Sequence, residues 1–195
     1  MCRDLLLVID MQNVYASGGE WFCPRSESAA ENIRLLLDSD DINTDVIFTR
    51  FLSSKDPTGD WIKYNEENFA VNCDPHANAM MEAFGDHLDK YPLYTKSVYS
   101  SLAIPEVREA VKDHDRVILS GVVAECCVLS TAFALIDEGV HIIYLSDAVA
   151  GINEETEKAV ISVLSGLEPL HVEIMTTAEY INKIGHPTIV KEERN

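Results

Sequence analysis

The sequence predicts an α/β protein built on a doubly wound, mostly parallel, six-stranded sheet with helices on both faces. Three observations carry this expectation. Short apolar runs alternate along the chain with longer stretches of helical period. Several of the runs are almost continuously apolar, as strands covered on both faces must be. The helical stretches between them allow the right-handed crossovers that join parallel neighbours.

Taken in order, LLLVID (5–10) is apolar until its last residue and reads as a buried strand. SESAAENIRLLLDS (26–39) begins with Ser and carries Glu three residues after Ser28, a capping-box pattern leading into apolar residues at helical spacing. DVIFTR (45–50) is a second strand, and PLYTK (92–96) is a weaker candidate for the third. IPEVREAVKDH (104–114) reads as a helix, RVILSGV (116–122) as a strand and ECCVLSTAFALIDEG (125–139) as a helix. VHIIYLSDA (140–148), NEETEKAVISVLSG (153–166) and the weaker HVEIMTT (171–177) continue the alternation, giving about six strands and six helices. Gly139 and Gly166 stand where a left-handed helix cap suits glycine.

Residues 51–91 break the pattern, mixing Pro, Gly and Asn with Trp61, Tyr64 and Phe69 and showing little period. Such an insertion is either a functional lid or a solvated loop with a few packed aromatics. The tail HPTIVKEERN (186–195) reads as a frayed end or an oligomer arm. At 195 residues and 47% hydrophobic content the chain suits one domain, residues 1–185, with the lid-like insertion inside it.

The net charge of −18, from 15 basic and 33 acidic residues, repels nucleic acid and anionic membranes. Small-molecule or protein partners remain. MCRDLLLVIDMQ is interrupted too soon for a signal peptide, and no segment approaches the roughly 18 apolar residues of a membrane span. Five cysteines without a CxxC pair suggest reduced thiols in a cytoplasmic protein, not a disulfide framework or a zinc finger.

In open α/β sheets ligands bind beyond the carboxyl ends of the strands, so the residues there are informative. Asp10 closes the first strand, Lys96 ends the third, and GVVAECCVLSTA (121–132) follows the fourth. Each has a plain structural reading: Asp10 as a cap or ion pair, Lys96 as a solvated side chain, a cysteine as a small buried hydrophobe. Each also has a chemical reading. A cysteine in the first turn of a helix meets free N–H groups and the helix dipole, which lower a thiol pKa and can receive an oxyanion.

Asp in LLLVIDMQN, Lys in LYTKSVYSS and Cys in GVVAECCVLSTA match in order and setting the three-part signature of the isochorismatase-like cysteine hydrolases, a Rossmann-like family that includes nicotinamidases and N-carbamoyl amide hydrolases. The resemblance covers residues 5 to about 180. It implies Asp10, Lys96 and Cys127 as the catalytic residues, with Cys126 a packed or semi-exposed neighbour. Successive helix residues point about 100° apart, so the two thiols are not expected to share a pocket. The resemblance further implies a cis peptide between Val122 and Val123 and an oxyanion hole made by the Val123 and Cys127 N–H groups. Tyr15 falls where the family has an aromatic against the substrate, although Val14 stands where Asp is common, and Trp61 is a second pocket candidate.

The pattern departs at the metal. Nicotinamidases carry ligands where this chain has Phe51, Ser53 and Asn72 beside Cys73, and His76 has no partners at ligand spacing. No metal or other cofactor is therefore expected. The resemblance then implies hydrolysis of a C–N bond in a small amide, ureido or N-carbamoyl compound through a thioester, in a homo-oligomer, dimer or tetramer. The alternatives are a catalytically idle binding module, a redox-sensing pair of Cys126 and Cys127, or an isochorismatase-type vinyl ether hydrolase, whose relatives lack the nucleophilic cysteine.

Overall fold

The strand β1 (Asp4–Ile9) is buried from end to end, and its side chains alternate between two cores. Leu6 and Val8 face one, Leu5, Leu7 and Ile9 the other, as the period of two in a strand requires. Only a central strand of a sheet covered on both sides has this use for six consecutive buried residues. In the computed structural model, which describes residues 3–39 and 44–185, β1 pairs in parallel with β2 (Asp45–Phe51) and with β4 (Arg116–Val122). β3 (Leu93–Lys96), β5 (His141–Ala150) and β6 (Val172–Met175) complete a six-stranded sheet of order β3-β2-β1-β4-β5-β6. Every strand pair in it is parallel. The weaker sequence candidates at 92–96 and 171–177 are both strands, shortened at their ends.

Nine α-helices lie among the described residues, more than the six expected. The helix α1 (Ser26–Leu37) buries Ala29, Ala30, Ile33 and Leu36 in the first core. Its expected capping box does not form. The N-cap is Arg25, with no side-chain cap; Ser28 lies inside the helix and its hydroxyl donates back to the Arg25 carbonyl, while Ser26 donates to the Tyr15 carbonyl at 2.8 Å. Tertiary demand from the Tyr15 loop outweighs the local pattern.

Four of the helices without a sequence counterpart occupy the 51–91 insertion: α2 (Trp61–Glu67), α3 (Phe69–Asn72), α4 (Pro75–Asn78) and α5 (Gly85–Leu88). Each spans one or two turns, too little for a 3.6-residue period to be read. Asp74 caps α4 through the His76 and Ala77 N–H groups, with Pro75 at the first position. His76 is exposed and serves in this turn. An isolated antiparallel bridge between Gln12 and Met80 fastens the insertion to the end of β1.

On the second face lie α6 (Pro105–Lys112), α7 (Leu129–Asp137) and α8 (Glu154–Ser165), which bury Val107, Leu135 and Leu164 in the other core. The first face is completed by α9 (Thr177–Gly185), whose Tyr180 joins α1 in the first core and donates to Asp4 at 2.7 Å. Gly139 is left-handed (φ 80°) as expected. Gly166 is not: it ends α8 in the right-handed region at φ −68° and leads into a run of turns over 167–171. No helix of the described residues is long and apolar enough to cross a membrane. The tail expectation at 186–195 lies outside the described residues.

β1 runs out to β2 and β3 on one side, and the chain then returns so that β4 lies on its other side. The β1–β4 crevice is thus a topological switch point, where a ligand site is expected beyond the strand ends. Gly121 makes that crevice possible. It adopts φ 107°, and a Cβ there would stand 2.0 Å from the Ile9 carbonyl oxygen. Gly121→Ala is expected to destabilise the protein by about 3 to 5 kcal/mol, from backbone strain and overpacking together. Urea unfolding measures it, and a loss under about 1 kcal/mol, the size of an ordinary substitution, would contradict the close approach.

Candidate active site

Asp10, Lys96 and Cys127, separated by 86 and 31 residues in the chain, meet beyond the strand ends. Asp10 leaves β1 with a left-handed backbone (φ 53°), a conformation that a short polar side chain tolerates better than most. Its N–H donates to the Thr49 carbonyl at 3.0 Å. Its carboxylate is fully buried and receives two donors: the Thr49 hydroxyl to Oδ1 at 2.9 Å and Lys96 Nζ to Oδ2 at 2.6 Å. Lys96, the last residue of β3, also donates to Cys127 Sγ at 3.3 Å and to the Val98 carbonyl at 3.2 Å. Its ammonium stands 5.5 Å from the centre of the Phe51 ring. All three of its protons therefore have acceptors, which a fully buried ammonium requires.

Cys127 sits in a single π-turn, Ala124–Val128, that opens α7. The Cys126 and Val128 N–H groups both donate to the Val123 carbonyl at 3.1 Å, and the Val122–Val123 peptide just before is cis. Thr131 fixes the turn from below. Its hydroxyl donates to the Cys127 carbonyl at 2.7 Å and accepts from the Ser101 N–H at 2.9 Å, tying α7 to the loop after β3. π-turns of this kind concentrate at functional sites.

The turn overturns one expectation. Cys126 and Cys127 line the same pocket, because a π-turn is wider than an α-turn and narrows the angle between successive side chains. Cys126 is half-buried and Cys127 buried, and both are free thiols. A second expectation, a thiol pKa lowered by the helix start, is also reversed. Burial pushes the Cys127 thiol up, the nearby Asp10 carboxylate pushes it further, and Lys96 opposes them only in part. For Lys96, burial pulls downward, but Asp10 and Cys127 more than offset it, so its ammonium is held above the ordinary value. The thiol is thus held protonated beside the Lys96 ammonium.

The buried thiols give the fold a pH signature. Cys23 is pushed up to about 12, by burial first and then by Glu125 and Glu157, and Cys127 moves in the same direction. A group whose folded pKa is raised leaves the unfolded chain to lose its proton first, so its contribution is full below about pH 8.5 and fades as pH rises toward the folded value. Urea midpoints are expected to fall above about pH 8.5, and the Cys23→Ala, Cys127→Ala double variant should show a flatter decline. An identical pH profile in the variant would contradict the assignment.

A pocket of about 450 Å³ opens above the trio. Tyr15, Trp21, Phe51, Tyr64 and Tyr99 form most of its wall, Val123, Cys126 and Cys127 its floor, and Glu20, Phe22, Asn68 and Ile152 the rest. Tyr15 ends a short 3-10 turn (Asn13–Tyr15) and is buried; its phenol is held protonated, raised by burial and then by Cys127 and Asp10. Val14 is also buried, in the first core. Trp61 does not line the pocket. It packs edge-on against Tyr64 and Tyr99, with ring centres 5.1 and 5.0 Å away, and so supports the wall from behind.

Several site residues escaped the sequence reading. Gln12, almost fully buried, donates to the Phe51 and Asn78 carbonyls and accepts from the Phe51 N–H, clamping the insertion over the strand ends. Thr49 and Thr131 are buried hydroxyls whose importance lies in partners 39 and 4 residues away. Trp21, Phe51, Tyr64 and Tyr99 come from four separate segments; for the insertion, its richness in aromatics was the available signal.

The residues at the expected metal positions do not fit a metal. Phe51 presents a ring to Lys96, and the Asn72 amide donates to the Asn65 carbonyl. Among the described residues no group of three or more His, Cys, Asp or Glu side chains could hold a metal ion.

The model of the isochorismatase domain matches residues 4–179. No protein with a curated description matches the chain. Among solved structures, a cysteine hydrolase from Pseudomonas syringae pv. phaseolicola is similar, with TM-score 0.78 and 22% identity, covering 93% of this chain and 92% of that one. A pyrazinamidase/nicotinamidase from Streptococcus mutans gives TM-score 0.71 and 21% identity over 88% of this chain and 99% of its own. An isochorismatase-like hydrolase from Alkaliphilus metalliredigens gives 0.69 and 20% over 92% and 98%. At these identities the structural likeness speaks for the fold, and the domain match speaks for descent: the chain belongs to the isochorismatase family of hydrolases.

Proposed function

We propose that the protein is a cysteine-dependent hydrolase that cleaves a C–N bond of a small amide, ureido or N-carbamoyl compound through a thioester on Cys127. One observation carries this reading: beneath the floor of a pocket that Cys127 lines, the Lys96 ammonium touches both the Asp10 carboxylate and the Cys127 sulfur. A buried ion pair placed against a thiol is costly packing unless the charges are used.

As the amide carbonyl settles over the sulfur, Asp10 takes the thiol proton and the thiolate forms beside the ammonium. Sulfur bonds to the carbonyl carbon, and the C=O electron pair moves to oxygen. The Val123 and Cys127 N–H groups receive that oxyanion, each worth roughly 3 kcal/mol if they act as other oxyanion donors do. The tetrahedral species collapses, the C–N bond breaks, and Asp10 returns its proton to the departing nitrogen. Water deprotonated by the same carboxylate then attacks the thioester, which releases the acid and restores the thiol. Tyr15 holds the acyl part of the substrate, and Trp61 keeps the wall in place.

No nucleic acid, membrane or cofactor takes part in this scheme, and the strong negative charge supports a freely diffusing substrate. The setting is cytoplasmic and the assembly a homo-oligomer, a dimer or tetramer, as in the family resemblance. A screen of small amides for ammonia release, with Cys127→Ser as control, tests the proposal. Release that persists at the parent rate in the variant would remove the covalent mechanism.

A further inference from the structure

We infer that the site takes an amide bearing no negative charge, its acyl part a flat or apolar group seated among aromatic rings. This rests on the amide-hydrolase reading and narrows it by setting aside ureido acids and N-carbamoyl amino acids, which carry a carboxylate.

Among the described residues the pocket lining contains no Lys, Arg or His; its charged side chain is Glu20. The nearest cation beneath the floor, Lys96, has a side chain with 0% exposure and is already engaged by Asp10 at 2.6 Å. A substrate carboxylate entering this space would lose its water and meet mainly ring faces and the like charge of Glu20, with neutral donors such as Asn68 and the tyrosine hydroxyls but no cation to pair with among the described lining residues. Sites built for carboxylates present a guanidinium fork or an equivalent set of donors, and here the rim offers Phe22 and Ile152, 41% and 54% exposed.

The rings form a connected wall: Trp21 lies 5.8 Å from Tyr15 and 6.4 Å from both Phe51 and Tyr64, centre to centre. Such a surface takes a flat uncharged group by stacking. It also accepts a cation, through the ring faces and Glu20. The net charge of −18 acts in the same sense during encounter, slowing anionic amides and favouring cationic ones.

Two measurements test the inference separately from the hydrolase reading. In the first, Cys127 is alkylated with neutral iodoacetamide and with anionic iodoacetate, each rate is normalised to a small free thiol, and the site is identified by peptide mass. Preference for the neutral reagent by about tenfold or more is expected. Equal normalised rates, or preference for iodoacetate through attraction to Lys96, would overturn the inference. In the second, ammonia release is followed from benzamide, 4-(trimethylammonio)benzamide and 4-carboxybenzamide. The first two are expected to exceed the third in kcat/KM by about tenfold or more, and Ile152→Arg is expected to close the gap by raising the third. A preference of the parent protein for 4-carboxybenzamide sinks the inference while leaving the hydrolase intact. Neutral-selective alkylation with no release from any amide does the reverse.

Discussion

Cys127→Ser is expected to lower amide turnover by about 10⁴-fold or more while leaving the fold intact. Serine differs from cysteine by one atom, and the site is buried and already supplied with hydrogen-bond partners, so packing changes little. The chemistry changes greatly. A thiol can surrender its proton to a neighbouring carboxylate, whereas a hydroxyl is far too weak an acid for Asp10 to ionise, even with Lys96 beside it. With the parent protein, rapid quenching during turnover should show Cys127 carrying the mass of the acyl group, and hydroxylamine should remove it. The variant should carry none. Turnover within tenfold of the parent, or an acyl group trapped elsewhere, would mean that sulfur at 127 is not the nucleophile.

The second large effect separates two things that one residue does. Asp10→Asn is expected to lower turnover by about 10²- to 10⁴-fold, the usual contribution of general acid–base catalysis. The same change should make Cys127 react faster with iodoacetamide near neutral pH. After burial, the Asp10 charge is the next cause holding the thiol up; without it burial alone opposes the Lys96 ammonium, which favours thiolate. Loss of catalysis together with gain of nucleophile is the mark of a proton acceptor, and a merely structural carboxylate would not produce it. Asparagine leaves a buried ammonium without its counter-ion, at a cost of about 3 to 5 kcal/mol, so alkylation is read on protein shown to be folded by circular dichroism. Alkylation of folded Asp10→Asn no faster than that of the parent would mean that the Asp10 charge does not hold the thiol up.

Much of the sheet was legible because its signal is local. A fully buried parallel strand must be apolar at every position, and the runs in β1, β2, β4 and β5 say so without reference to the rest of the chain. Where local and tertiary demands compete, the reading failed. The hydroxyls of Ser26 and Ser28 serve the Tyr15 and Arg25 carbonyls and not a capping box, and Gly166 closes its helix without the left-handed turn that glycine permits. The four short helices of the insertion hold too few residues for periodicity, and their placement follows from long-range contacts made by Gln12 and Asn78.

The family, the sheet and the convergence of positions 10, 96 and 127 on one end of it follow from strand ends and their polar residues, because the order of strands around a switch point leaves those ends little freedom. The state of the thiol and the company it keeps do not. Whether a sulfur is acidified by a helix start or held protonated by burial and a carboxylate depends on distances and dielectric, which exist only after the chain has closed around it. The same holds for the sharing of one pocket by Cys126 and Cys127, set by a single π-turn, and for a wall of rings drawn from distant segments with no cation among the described lining residues.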